Sequence, residues 1–222
     1  MNINSFIDHT LLKPDTTSSQ IAQLCTEAIE NSFAAVCVNS YYVPFAVKMV
    51  KGSGVNVCTV VGFPLGASPK EVKKLEAEIA IENGATEIDM VLNIGALKDG
   101  LFRIVEEDIK TLSDLCHRKN SLLKVIFETC LLSNEEILKA CELCVNAGAD
   151  YVKTSTGFST AGANLEVVKL MKQAVGEKAK VKASGGVKTL QDAIDMINIG
   201  AKRIGTSSGV RLVQGQSAKD SY

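Results

Sequence analysis

The chain is poor in histidine: His9 and His117 are the only two in 222 residues. A metal centre of clustered imidazoles is excluded, and with it the zinc chemistry that depends on several such ligands. There is no excess of either charge, since 24 basic and 25 acidic residues leave a net charge of −1. The cations are scattered, so neither nucleic acid nor a membrane is an expected partner. No apolar run approaches membrane-spanning length, and the opening M-N-I-N-S-F-I-D-H-T has neither a basic n-region nor an apolar h-region. A cytoplasmic location is expected. The seven cysteines lack framework spacing, and Cys37, Cys58, Cys116 and Cys144 sit in apolar patterns, so they read as reduced core residues. Cys141 and Cys144 form a C-x-x-C, but late in a helical stretch where a thiolate gains nothing from a helix N-terminus. Neither redox chemistry nor zinc is expected there.

What the chain does have is a repeating alternation. Apolar, β-branched runs at 34–38, 55–61, 87–92, 122–129, 151–157, 180–184 and 203–207 read as strands, with a shorter one at 5–10. Amphipathic stretches separate them. S-P-K-E at 68–71 reads as a capping box with proline at the first helical position, followed by Val72, Leu75 and Ile79 on one face and Gly84 as the stop. S-N-E-E at 133–136 repeats the device and ends at Gly148. Strands alternating with helices imply parallel pairing, and eight such units in this length predict an α/β fold, a closed TIM (β/α)8 barrel. One domain over 1–222 is expected, with a mobile tail from about 213.

The form G-A-x-x-[IV]-x recurs at 84–89, 148–153 and 200–205, with a looser copy at 32–37. If these segments enter alternate strands, Cys37, Asp89, Lys153 and Gly205 share one interior layer. The other account is that G-A is simply a helix exit, where the C-cap needs glycine.

Side chains alternate along a strand, so Lys153 in Y-V-K-T-S-T-G faces inward with Tyr151 and Ser155. Burying an ammonium is expensive. A lysine in such a place snorkels, pairs with a carboxylate, or has a lowered pKa that leaves a nucleophilic amine. The same parity turns Lys182, Ser184, Lys124, Glu128 and Asp89 inward, and a neighbouring cation such as Lys182 favours a neutral amine. Convergent buried charge points to catalysis. The alternative is a structural network of Lys124, Glu128, Asp89 and Lys182. Beyond the last two strands, Ser184-Gly185-Gly186 and the run from Gly205 through Ser207 and Ser208 to Gly209 present small residues suited to phosphate, or to turns alone.

K-T-S-T-G-F, V-K-A-S-G-G-V, E-I-D-M-V-L-N-I-G, D-H-T-L-L-K-P and G-F-P-L-G together resemble the deoxyribose-phosphate aldolases over nearly the whole chain. The resemblance implies a class I aldolase of the TIM-barrel type that interconverts 2-deoxy-D-ribose 5-phosphate with acetaldehyde and glyceraldehyde 3-phosphate. It uses no cofactor and no metal, and it takes small phosphosugar and aldehyde substrates as a homodimer. Lys153 takes the Schiff-base position, Lys182 that of the second lysine and Asp89 that of the proton-relay carboxylate. Asp8, Thr10, Cys37 and Lys124 match supporting positions. Phosphate contacts fall to Gly157, Ser184, Gly185, Gly186, Gly205, Ser207 and Ser208, because Phe158 stands where some relatives carry a lysine. Tyr222 matches a C-terminal tyrosine that reaches the site in some members. Two other functions use parts of the same set: a phosphosugar isomerase relying on Asp89 and a lysine, and a phosphometabolite sensor without catalysis.

Overall fold

The structure is a computed structural model that describes residues 1–218. Its elements are β1 (Ile7–Leu11), α1 (Ser18–Glu30), β2 (Ala35–Val38), α2 (Val43–Val50), β3 (Asn56–Val61), α3 (Lys70–Glu82), β4 (Glu87–Val91), α4 (Ile94–Lys98), α5 (Phe102–Arg118), β5 (Leu122–Ile126), α6 (Asn134–Ala147), β6 (Tyr151–Lys153), α7 (Leu165–Val175), β7 (Lys180–Ser184), α8 (Leu190–Asn198), β8 (Ala201–Thr206) and α9 (Gly209–Val213). The eight strands pair in chain order, all parallel, and β8 closes on β1 through Asp8 opposite Gly205. The TIM barrel expected from the alternation is thus present. Among the described residues, no helix is long and apolar enough to cross a membrane.

The main core lies between sheet and helices. Outward-facing Val36, Ile88, Met90, Val125, Val152 and Ala183 pack there against Ile21, Ile109, Ile137 and Val168 of the helical ring. Burying such a side chain contributes roughly 1.5–3 kcal/mol, so this layer is the main favourable term. Helix ends are set locally. Ser133 and Glu136 form the expected capping box on α6, and Gly148 at φ 78 stops it in a conformation that glycine adopts without strain.

Several local expectations fail. No capping box forms at 68–71: α3 begins at Lys70, with Pro69 as N-cap and no side-chain hydrogen bond, because Pro69 has no side-chain oxygen and Ser68 lies a residue too early. Val72, Leu75 and Ile79 do share a face of α3, but it is the exposed one. Ala77, Ala80 and Lys73 fill the buried face, where the close seat on the sheet leaves room for small side chains and for a lysine that reaches Asp108 at 2.6 Å. Strand β6 stops at Lys153 instead of 157 and β5 at Ile126 instead of 129, while β8 starts earlier, at Ala201. Glu128 explains the second difference: its left-handed backbone, φ 57 and ψ 61, is incompatible with a strand.

Candidate active site

The barrel interior holds a second, far smaller apolar group, Leu12, Ala35, Cys37, Cys58 and Val60 with Phe63 against it. The rest of the lumen is ionic. Lys153, at the C-terminal end of β6, donates from Nζ to Asp89 Oδ2 at 2.7 Å, and Lys182 of β7 donates to the same oxygen at 2.8 Å. Lys124 of β5 donates to Asp89 Oδ1 at 2.8 Å, and Cys58 Sγ donates to that oxygen at 3.0 Å. One carboxylate therefore gathers three lysines and a thiol.

A deeper tier neutralises the lysines. Lys124 Nζ lies 2.6 Å from Glu87, and Lys182 Nζ lies 2.5 Å from Asp8 Oδ2, an ion pair without hydrogen-bond alignment. Arg203 bridges the two acids, reaching Asp8 Oδ1 at 2.6 Å and Glu87 at 2.8 Å. Burial alone would push the Asp89 carboxyl up, but Lys124, Lys153 and Lys182 outweigh it and hold it well below the usual carboxylate range. Asp8 falls to about 2 for the same reason, burial being overcome by Lys182, Lys124 and Arg203. Burial works to lower Lys124 and Lys182, yet their carboxylate neighbours keep both well above the ordinary lysine value. These two lysines stay ammonium.

The register explains the convergence. Cys37, Asp89, Lys153 and Gly205 occupy equivalent positions on alternate strands. Gly205 has no room for a side chain, since a Cβ there would lie 2.3 Å from Ser184 Oγ and 3.2 Å from Lys182 Cε. Gly205 thus lies within the β8 ladder opposite Ser184, below the loops. Glu128 makes no ion pair with the lysines among the described residues, although the charge of Lys153 acts on it. It binds the backbone N–H and the hydroxyl of Thr156, and burial raises its carboxyl. Glu87, Arg203 and Cys58 are members the sequence reading missed. For Glu87 and Arg203 the signal was present, because each stands two residues before an inward position, Asp89 or Gly205.

Above the lysines, β6 and β7 run into glycine turns that touch. A Cβ on Gly185 (φ 69) would meet Gly162 Cα at 3.1 Å and Gly157 Cα at 3.9 Å, and a Cβ on Gly162 would lie 2.3 Å from Gly185. Only bare backbone fits there. Gly186 adjoins them, whereas Ser207 and Ser208 follow the end of β8, where the Ser208 N–H donates to Thr206 Oγ1. The hydroxyls of Ser155 and Ser184 are buried with no hydrogen-bond partner among the described residues. Thr10 Oγ1 is turned to the Asp8 carbonyl. Phe158 packs edge-on against Phe63, with ring centroids 5.2 Å apart. Tyr222 lies outside the described residues.

The arrangement can present a primary amine to a carbonyl beside a carboxylate and a second cation. A family model described as DeoC/LacD family aldolase matches residues 4–215. The deoxyribose-phosphate aldolase of Geobacillus sp. (strain WCH70) is 57% identical over 221 residues, covering 100% of this chain and 99% of that protein. The enzyme of the same name from Streptococcus uberis is 55% identical over 222 residues and 100% of both chains. Among solved structures, a deoxyribose phosphate aldolase from Aeropyrum pernix, described as uniquely tetrameric, superposes with a TM-score of 0.89 at 34% identity, covering 96% of this chain and 89% of that one.

Proposed function

Since the chain belongs to the DeoC/LacD family of aldolases, we propose that Lys153 is its Schiff-base amine, with Asp89 and Lys182 as proton-handling partners. The protein is a class I aldolase that reversibly cleaves 2-deoxy-D-ribose 5-phosphate to D-glyceraldehyde 3-phosphate and acetaldehyde. In this reading, Lys153 Nζ attacks C1 of the open-chain sugar and water leaves to give an iminium. Loss of the C3 hydroxyl proton breaks the C2–C3 bond, and the electron pair passes into the iminium to form an enamine. Glyceraldehyde 3-phosphate departs. Protonation of the enamine carbon and hydrolysis then return the lysine and release acetaldehyde.

The observation that carries the assignment is the pairing around Asp89. Lys124, Lys182 and Arg203 each contact at least two carboxylates, whereas among the described residues Lys153 is ion-paired only with Asp89, through an oxygen it shares with Lys182. Asp8, Glu87 and Asp89 are matched by the other three cations. Lys153 is thus the lysine least held by carboxylates, and the one best placed to meet a substrate carbonyl. Asp89, held ionised, accepts protons, and with Lys182 and a water it serves the C3 hydroxyl and the enamine carbon. The buried hydroxyls of Ser155 and Ser184 are available to substrate oxygens.

In the same reading phosphate rests on Gly157, Gly185, Gly186, Ser207 and Ser208, against the touching glycine turns, with Ser184 and Gly205 in the strand ends beneath them. Lys124, Asp8, Thr10 and Cys37 line or support the site. The chain is read as one catalytic domain, homodimeric and cytoplasmic. Light scattering tests the dimer, and a tetramer like that named for the Aeropyrum pernix enzyme would overturn it. Borohydride reduction with acetaldehyde tests the chemistry. A stable adduct on the peptide holding Lys153 is expected, and absence of any mass change during turnover would sink the assignment.

A further inference from the structure

On one wall of the lumen, two thiols meet a carboxylate oxygen. Cys37 and Cys58 are direct partners in the β2–β3 ladder and are fully buried. With Asp89 they bring their ligand atoms within 4.8 Å of one another. Cys58 Sγ already donates to Asp89 Oδ1 at 3.0 Å and accepts from Lys124 Nζ at 3.3 Å. The aldol chemistry has no use for Cys58.

We propose that Cys37, Cys58 and Asp89 form an inhibitory site for a thiophilic divalent ion of the zinc and cadmium class. Two sulfurs and a carboxylate oxygen are a donor set that such filled-shell ions select. Two metal–sulfur bonds of about 2.3 Å are long enough to join donor atoms that lie within 4.8 Å of one another. The exchange also balances in charge, because a doubly charged ion enters as two thiol protons leave. Lys124 Nζ lies between two of the donor atoms, 3.3 Å from Cys58 Sγ and 2.8 Å from Asp89 Oδ1, and gives way toward Glu87, 2.6 Å from it, as the ion enters. The bound ion turns the Asp89 oxygen beside Lys153 into a ligand and fills the wall formed by Leu12, Val60 and Phe63. Schiff-base formation is therefore suppressed.

The test is a cadmium titration of the whole protein under a phosphine reductant. Binding is read from the ultraviolet sulfur-to-cadmium charge-transfer band, and in parallel samples the acetaldehyde adduct trapped by borohydride is read by mass. Expected are one ion per chain, release of about two protons, and suppression of trapping at the midpoint of the charge-transfer band, reversed by a chelator. Cys58→Ala weakens cadmium binding by about tenfold or more, while the Cys141→Ser/Cys144→Ser double variant binds as wild type does. Should Cys58→Ala not fold, Cys37→Ser is held to the same loss. The proposal is overturned if both variants keep wild-type affinity, if Cys130→Ser abolishes the band, or if the ion binds at Cys58 while trapping continues. Because binding is read directly, its outcome does not depend on the aldolase assignment.

Discussion

Two buried aspartates, one on each side of the sheet, respond to burial in opposite ways. Asp108 on α5 meets a single lysine, the fully buried Lys73, at 2.6 Å, and burial still pushes its carboxyl up. Asp89 in the lumen is more deeply buried but meets three lysines, and its carboxyl falls. One ion pair does not offset the loss of water; three do. The lysines differ correspondingly. Lys73 has Asp108 and the Val91 carbonyl at 3.0 Å, packed under Gly62, where a Cβ would lie 2.9 Å from its Cε. Lys153 shares its one carboxylate oxygen with Lys182. Burial of a lysine is thus by itself no mark of catalysis; what separates these two is whether the carboxylate is held alone or shared.

Substituting both lysines gives the largest contrast. Lys153→Ala should lower kcat by about 10⁴-fold or more and abolish borohydride trapping while the protein still melts cooperatively. Lys73→Ala should cost about 3–5 kcal/mol of stability and leave trapping per folded molecule near wild type. Loss of trapping at unchanged stability in Lys73→Ala would erase the distinction. Next in size, Asp89→Asn takes from Lys153 its carboxylate and from Lys124 and Lys182 one of theirs and should be destabilising by about 3–5 kcal/mol, against about 1–3 kcal/mol for Asp108→Asn. Urea unfolding decides the order. Replacing the whole outer pair, Lys73→Met with Asp108→Leu, should change stability by no more than about 1 kcal/mol or raise it. A penalty as large as that of Lys73→Ala alone would show that the pair is needed as such.

The two sides differ also in their response to pH. Asp8 drops from 3.8 to about 2 on folding, so its stabilisation, roughly 2 kcal/mol, is complete above the unfolded value and is lost as pH falls to about 2. Asp108 has the opposite sign: its folded carboxyl is raised, so acidification through that value adds stability relative to neutral pH. Urea unfolding at successive pH values should show that gain in wild type and not in Asp108→Asn. Parallel curves would remove Asp108 from the account.

The same comparison shows what was legible in the sequence. Period-two parity turned Lys124, Lys153, Lys182 and Asp89 toward one interior, and it extends to Glu87 and Arg203. Parity does not tell which acid meets which base, and it misled at Glu128, whose left-handed backbone takes it out of the strand and onto Thr156. Nor does helical spacing tell the buried face from the exposed one. Val72, Leu75 and Ile79 looked like a core stripe on α3, whereas the close seat on the sheet selects Ala77, Ala80 and a lysine.

By itself the sequence determined the eight β/α units, the parallel barrel they imply and the inward parity of its charges, since these follow from local periodicity and caps. Only the tertiary structure decided the charge balance. Closing the barrel brings Asp8, Glu87 and Asp89 into ion pairs with Lys124, Lys153, Lys182 and Arg203, all distant from them in sequence, and ionic interactions in a dry interior depend on such distances between elements.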